Sequence, residues 1–156
     1  MRKQQLRKLL QKALLFRLMT NIDNLVENAK ISHSTLSFSA GQQHSWFNDA
    51  FNNNEDISIS SLTKILSAVN DKVDLADYKL IDLFDKNILI IASRITAIKD
   101  EKDEQIPSFI LTERELFTDL LGDWGLLKAK KKLSEEEQQT AEEVRSILID
   151  RIKEEQ

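Results

Sequence analysis

The sequence predicts an all-α protein, and three observations support that prediction. The 156 residues include only 3 Gly, 1 Pro and no Cys, so the residues that build sheet turns and disulfide frameworks are scarce. Hydrophobic residues make up 41 % of the chain, which is enough for a packed core. They recur at intervals of three and four positions, the period of a helix that buries one face. The length is that of one domain, which excludes a large multidomain enzyme.

The N-terminal region is a basic amphipathic stretch without Gly or Pro. Its apolar residues keep helical spacing at Leu6, Leu9, Leu10, Ala13, Leu14, Leu18, Ile22, Leu25 and Val26. This pattern predicts either one long helix or two helices with a break near Thr20, since Thr20 and Asn21 are typical helix-start residues. Residues 1–20 contain six Lys or Arg and no acid, so a polyanion would meet this end of the chain first.

Two short helices are predicted next. Ser32 is a typical N-cap for a helix that Gly41 closes, because glycine readily adopts the left-handed conformation that ends helices. A second short helix is expected over residues 43–51, followed by a tight loop at residues 52–54, where three Asn occur in a row. Ser58 then caps a helix whose inward face is expected to consist of Leu62, Ile65, Leu66 and Val69.

The remainder of the chain predicts further helices. Residues 75–98 include the apolar run 88–91. The spacing of Leu80, Leu83, Phe84, Ile88, Ile91 and Ile95 favours at least a partly helical segment over a strand. Residues 99–105 are expected to form a charged loop that ends at Pro107. Thr112 and Glu115 match a capping box, which predicts a helix that ends at Gly122. Trp124 is then expected to form a hydrophobic cap at that end.

The last helix is predicted from a second capping box, Ser134 with Glu137, and is expected to reach about residue 153. One stripe of this helix holds Ala141, Val144, Leu148 and Ile152, and charged residues flank it at Glu142, Arg145 and Arg151. Such a stripe fits a dimer interface. Packing within its own chain fits equally well.

Catalytic and metal-binding patterns are missing from the sequence. There is no Cys nucleophile and no Gly-rich phosphate loop, and the two histidines, His33 and His44, are not at metal-ligand spacing. We therefore expect no enzymatic activity, no metal and no cofactor. No apolar run reaches membrane-spanning length and no signal peptide is evident, so we expect a cytoplasmic protein without membrane association.

A set of positions between residues 22 and 69 matches the pattern of a known family. The spacing between these positions is the same as in that family, with no insertion or deletion. These positions are Ile22, Leu25, Ile31, Ser32, Leu36, Ala40, Gly41, Ser45, Phe47, Asn52, Ser58, Leu62, Lys64, Ile65 and Ala68. At them the chain resembles the helix-turn-helix domain of the phage-repressor (Cro/CI, or XRE) family. The resemblance implies a DNA-binding fold whose second short helix enters the major groove, and a dimer that binds two half-sites.

The candidate DNA-binding residues follow from this interpretation. On the second short helix, Phe47 and Ala50 face the core by spacing, so the outward residues toward base edges are Gln43, His44, Ser45, Asn48 and Asp49. Gln and Asn can bond adenine through two hydrogen bonds, and Asp can accept one from cytosine. His33 and Asn52 correspond to family positions that meet phosphate.

The charge of residues 42–56 leaves two alternatives to DNA binding open. Residues 42–56 contain no Lys or Arg but include Asp49, Glu55 and Asp56, and Trp46 occupies a position that is normally polar in the family. Phosphate affinity would then have to come from the N-terminal cations. One alternative is a protein-interaction module on the same fold, such as an antirepressor, an antitoxin-like partner or a phage inhibitor. The other is an accessory protein for DNA processing.

The sequence thus predicts a repressor-like, sequence-specific regulator that binds double-stranded DNA, from a bacterial phage or mobile element. Its predicted parts are a basic N-terminal extension (1–15), a helix-turn-helix domain (16–70) and a helical C-terminal module (71–156). The C-terminal module is expected to mediate dimerisation or to bind a protein partner.

Overall fold

All regular secondary structure is helical in the computed structural model, which describes residues 1–53, 58–72 and 83–154. The predicted all-α class is therefore confirmed for these residues. The helices are α1 (Lys3–Asn28), α2 (His33–Ser39), α3 (Trp46–Asn53), α4 (Ile59–Asn70), α5 (Lys86–Ala97), α6 (Ile106–Thr112), α7 (Arg114–Ala129) and α8 (Glu135–Glu154). Within the described ranges, none of these helices is both long and apolar enough to cross a membrane.

The chain divides into two compact units. The central unit is Leu15–Leu89, and the terminal unit combines Met1–Leu14 with Ile90–Gln156. Residues from the predicted N-terminal extension and from the predicted C-terminal module thus belong to the same unit. Helices α1 and α5 each contribute residues to both units.

Helix α1 is continuous, so the break considered near Thr20 does not occur. The Thr20 hydroxyl donates a hydrogen bond to the Phe16 carbonyl at 2.8 Å, one helical turn back, instead of capping a new helix. The helix continues to Asn28, and Lys30, in the turn that follows, has a left-handed φ of 57°. There the Ile31 N–H bonds the Val26 carbonyl at 3.2 Å, which closes the last turn.

The core of the central unit is formed by apolar residues from α1 to α4. Its largest buried side chains include Met19, Leu36, Phe47 and Ile65. The predicted N-cap Ser58 accepts a hydrogen bond from the Ser61 N–H at 3.0 Å and begins α4. On α4, Ile65 and Val69 are buried, whereas Leu62 and Leu66 are only partly buried against the same core.

Asp85 begins α5 and links it to α1. Its carboxylate accepts hydrogen bonds from the Ile88 N–H at 2.9 Å and from the Asn21 side chain at 3.1 Å. Burial by itself raises the pKa of the Asp85 carboxyl. These two hydrogen bonds, a third from the Asn87 N–H and the charge of Arg17 outweigh burial, so the pKa is lowered from its ordinary value.

The prediction of a helix from residue 112 to Gly122 is wrong, because α7 begins at Arg114 and continues through both Gly122 and Gly125. The Thr112 hydroxyl donates back to the Ser108 carbonyl at 2.9 Å, at the end of α6, and does not cap α7. The buried residues of α7 lie on both sides of Gly122 and are Phe117, Leu120, Trp124 and Leu127. Burying this continuous stripe outweighs the helix penalty of the two glycines, roughly 1 kcal/mol each relative to alanine.

Trp124 is a core residue of the terminal unit and not a cap at a helix end. It is buried in the middle of α7, and its indole Nε1 donates a hydrogen bond to the Leu9 carbonyl at 3.1 Å. Leu6, Leu9 and Leu10 of α1 are also fully buried. The start of α1 is therefore part of the terminal core rather than a free extension.

Helix α8 packs against α6 and α7 of its own chain. The predicted capping box is present: the Ser134 hydroxyl accepts from the Glu137 N–H at 3.2 Å, and the Glu137 carboxylate accepts from the Ser134 N–H at 3.1 Å. Val144 and Leu148, from the stripe considered as a dimer interface, are buried within this unit. Packing within the chain, the alternative left open by the sequence, therefore uses this face.

Two further expectations concern less regular segments. The charged loop expected over residues 99–105 contains two short 3₁₀ turns, Ile98–Asp100 and Asp103–Gln105. Pro107 then lies in the first turn of α6, a position that suits proline because its missing N–H would have no helical partner. The expectations for Leu80, for residues 54–57 and for the Ile152 side chain fall outside the described parts of the structure.

Candidate nucleic-acid interface

Helices α2 and α3 are consecutive short helices of the central unit that are joined by a turn and pack against each other. The predicted N-cap Ser32 accepts a hydrogen bond from the Thr35 N–H at 3.1 Å and begins α2. At the other end, the predicted Gly41 adopts a left-handed φ of 70°. The Gly41 N–H bonds the Phe38 carbonyl and the Gln42 N–H bonds the Ser37 carbonyl, each at 2.9 Å. These bonds end α2 in the way the sequence predicts.

The second helix begins later than predicted. The sequence predicts a helix over residues 43–51 and a loop at residues 52–54, but α3 is Trp46–Asn53, so Asn52 and Asn53 belong to the helix and not to the loop. The Trp46 N–H bonds the Gln43 carbonyl at 3.0 Å, so Gln43, His44 and Ser45 form a turn before the helix. All three turn residues are exposed. They precede the candidate recognition helix instead of forming its first turn.

A buried hydroxyl that sequence analysis missed connects α2 to α3. The Ser37 hydroxyl donates to the His33 carbonyl at 2.8 Å and accepts from the Phe47 N–H at 2.9 Å. Because Phe47 lies in the first turn of α3, its N–H has no partner within that helix. Ser37 thus caps α3 from a neighbouring helix. The sequence signal for the burial of Ser37 was its position on the same face of α2 as the apolar residues Leu36 and Ala40.

Helix α3 separates its apolar and polar residues as predicted. Phe47 and Ala50 are buried, and Phe47 packs edge-on against the His33 ring with centroids 4.9 Å apart. Asn48, Asp49 and Asn52 are exposed. Among the side chains of α3 that the structure describes, the exposed polar ones are therefore two amides and one carboxylate.

His33, predicted as a phosphate contact, lies in a polar cluster with residues of two other helices. Its Nε2 is 2.5 Å from the Asp23 carboxylate of α1, and its Nδ1 is 3.3 Å from the Asn48 side-chain oxygen of α3. The ring is half-buried, with 31 % of its side chain exposed. The structure thus brings His33 and Asn48 together and adds Asp23, which no local sequence pattern indicates.

The candidate surface carries no positive charge of its own. Asp49 is the charged residue of α3, and the turn before it is uncharged at neutral pH when His44 is neutral. Elsewhere in the central unit, Lys30 and Lys64 are exposed. Any charge pairing of this unit with phosphate must therefore use cations outside α3.

The cations of residues 1–20 have different surroundings. The Lys3 ammonium donates to the carbonyls of Lys99 at 3.0 Å and Glu101 at 3.1 Å, within the terminal unit. Arg7 and Lys8 are exposed on α1. These exposed cations belong to the terminal unit, whereas the candidate recognition helix belongs to the central unit.

The described residues contain no group of three or more His, Cys, Asp or Glu placed to hold a metal ion. The site is thus a surface of hydrogen-bonding side chains on a short helix, held in place by a buried aromatic ring and a buried hydroxyl. No protein-family model, curated protein or solved structure matches the chain.

Proposed function

We propose that the central unit is a sequence-specific DNA-binding module of a repressor-like regulator, with α3 as its recognition helix. One observation carries this proposal: a short helix presents Asn48, Asp49 and Asn52 outward while Phe47 and the Ser37 hydrogen bond fix its inner side. A base-reading helix needs this combination, because its side chains must reach base edges from a fixed backbone.

The exposed side chains suit readout of base edges. An asparagine can accept from the adenine N6 amino group and donate to N7, and an aspartate can accept from the cytosine amino group. The Asn48 oxygen has two lone pairs, so when the His33 Nδ1 carries a proton and donates to it, the oxygen can also accept from a base. His33 would then orient the amide of Asn48 rather than meet a phosphate itself.

Affinity for the backbone would come from cations outside α3. Lys30 and Lys64 are exposed in the same unit. Each phosphate contact contributes about 0.9 to the slope of log affinity against log salt. Because α3 and the turn before it contain no Lys or Arg, we expect a shallow salt dependence and a large share of base-specific contacts.

The test is a selection from random DNA duplexes, followed by affinity measurements with single variants. Asp49→Ala should lose preference at one base pair of the selected site and bind a scrambled duplex equally well or better, because a charge that repels phosphate is gone. Asn48→Ala should weaken binding to the selected site by about 1 to 3 kcal/mol.

Asp71→Ala is the matched control, because Asp71 is an exposed carboxylate at the end of α4. It should leave the base preference unchanged. Equal behaviour of the Asp49 and Asp71 variants would contradict the assignment of α3 as the recognition helix.

A protein-interaction module is the second candidate, and specific side chains favour it. Phe38 on α2 and Ile59 on α4 are each 82 % exposed, and Trp46 on α3 is only partly buried. Large exposed apolar side chains are typical of protein-binding surfaces. If the wild-type protein enriches no duplex sequence, this candidate replaces DNA binding, and Phe38 and Trp46 are the first residues to substitute in a partner-binding assay.

A further inference from the structure

A groove with a volume of about 340 Å³ lies between α7 and α8 in the terminal unit. Its apolar lining includes Leu121, Trp124, Leu133 and Ala141. Trp124 and Leu133 are buried core residues, so the floor of the groove is part of the packed unit. The volume falls within the range of small-molecule pockets, roughly 300 to 1,000 Å³.

Two glycines of α7 line this groove, and packing within the chain does not require them. Gly122 and Gly125 lie inside the helix Arg114–Ala129, where glycine is less favourable than alanine. A Cβ added at either position meets no atom within 4 Å, the helix's own nearby backbone aside. Their missing side chains therefore leave helix backbone open to the groove, which permits close approach of a bound molecule.

The rim of the groove has a cation available for a ligand. Lys128 and Glu142 partly compensate each other, since the Lys128 Nζ is 4.0 Å from the Glu142 carboxylate. Arg145 lies one helical turn beyond Glu142 and is exposed. In the described parts of the chain, Arg145 makes no hydrogen bond or salt bridge. A guanidinium can bind a carboxylate through two parallel hydrogen bonds.

We propose that this groove binds a small amphipathic carboxylate. Its acyl or aryl part would lie against Leu121, Ala141 and the open backbone at Gly122 and Gly125, and its carboxylate would pair with Arg145. The apolar floor disfavours a small inorganic anion, and the available cation favours an acid over a neutral compound of the same shape. The proposal concerns the terminal unit alone and is independent of DNA binding by the central unit.

The amide signals of the glycines also provide a measurement of ligand binding. The chain has 3 glycines, two in the groove and Gly41 in the turn after α2. In a two-dimensional ¹⁵N–¹H NMR spectrum of the full chain, hydrocinnamate should shift the Gly122 and Gly125 amide signals and leave the Gly41 signal in place. For so small a ligand we expect a dissociation constant on the order of millimolar.

Two variants test the apolar and charged parts of the groove separately. Gly125→Leu fills the groove without a clash at Cβ, keeps Gly122 as a reporter, and should weaken hydrocinnamate binding more than about tenfold. Arg145→Gln should weaken hydrocinnamate binding about fivefold and leave binding of the neutral hydrocinnamyl alcohol unchanged. Arg151→Gln makes the same substitution elsewhere on α8, outside the groove lining, and should change the binding of neither compound.

Three results would overturn the proposal. The first is the absence of any shift at Gly122 and Gly125 at about ten times the expected dissociation constant. The second is equal binding of the acid and the alcohol by the wild-type protein. The third is a shift of both glycine signals with protein concentration alone, which would mean that a second copy of the chain occupies the groove.

Discussion

Replacing Ser37 by alanine tests how the candidate recognition helix is held. The hydroxyl is fully buried and accepts from the Phe47 N–H at 2.9 Å, so Ser37→Ala leaves that N–H without an acceptor in the core. A buried donor without a partner costs about 1 to 3 kcal/mol. The lost bond to the His33 carbonyl matters less, because that carbonyl also faces the helical N–H four residues later.

The expected net effect is smaller than the full penalty. Alanine is a better helix former than serine by roughly 0.5 kcal/mol, which offsets part of the loss. We expect Ser37→Ala to lower the free energy of unfolding of the central unit by about 1.5 kcal/mol. With a urea slope of roughly 1 to 3 kcal/mol per molar, the midpoint should fall by about 0.5 to 1.5 M.

The assay is amide hydrogen exchange across a urea series, read at the Phe47 N–H and at neighbouring amides of α3. Ser39→Ala is the matched control, since Ser39 lies on the same helix and is exposed. In the Ser37 variant, the Phe47 amide should exchange faster and the midpoint should fall. If both variants unfold at the same urea concentration and Phe47 stays protected, Ser37 does not hold α3 in place.

Two further predictions concern the central unit. Phe47→Ala should destabilise the central unit by about 3 to 5 kcal/mol because the ring is fully buried. Asn48→Ala should change the stability by no more than about 0.5 kcal/mol because Asn48 is exposed. Equal shifts in denaturant midpoint would mean that α3 is rotated away from the orientation described above. Asp85→Asn keeps a side-chain oxygen at the start of α5 but removes its charge, and should cost about 0.3 to 1 kcal/mol at pH 7. Because the folded-state pKa of Asp85 is lowered, its contribution is present above about pH 4 and is lost as the pH falls further. As the pH is lowered from neutral to below about 4, the denaturant midpoint should fall less in the Asp85→Asn variant than in the wild-type protein. A parallel fall in both proteins would contradict the role of Asp85.

Helix ends with local causes were predictable from the sequence. Ser32, Ser58 and Ser134 each accept a hydrogen bond from a backbone N–H three residues later, and Gly41 has the left-handed φ that ends α2. Each of these features depends on a few neighbouring residues. Sequence patterns therefore identify them without knowledge of the tertiary structure.

Features that depend on distant packing were not predictable in the same way. Gly122 and the Thr112 pattern indicated a short helix, but the buried stripe of α7 and the bond from Trp124 to the Leu9 carbonyl favour a long one. Leu9 and Trp124 are 115 positions apart. No local pattern shows that these residues meet.

The candidate site was predictable in part. The inward Phe47 and Ala50 and the outward Asn48 and Asp49 follow from helical spacing. The late start of α3 was missed because the turn after Gly41 takes up residues 43–45. The contact between His33 and Asp23 was missed because it joins two helices.

The central claim is that the protein reads base sequence, and one ratio tests it most directly. The measurement is the wild-type dissociation constant for a scrambled duplex divided by that for the best duplex from random selection, both at one physiological salt concentration. The account predicts a ratio of at least about a thousand, as for other specific DNA-binding proteins. A ratio near one would contradict the account, because binding would then show no base readout by α3.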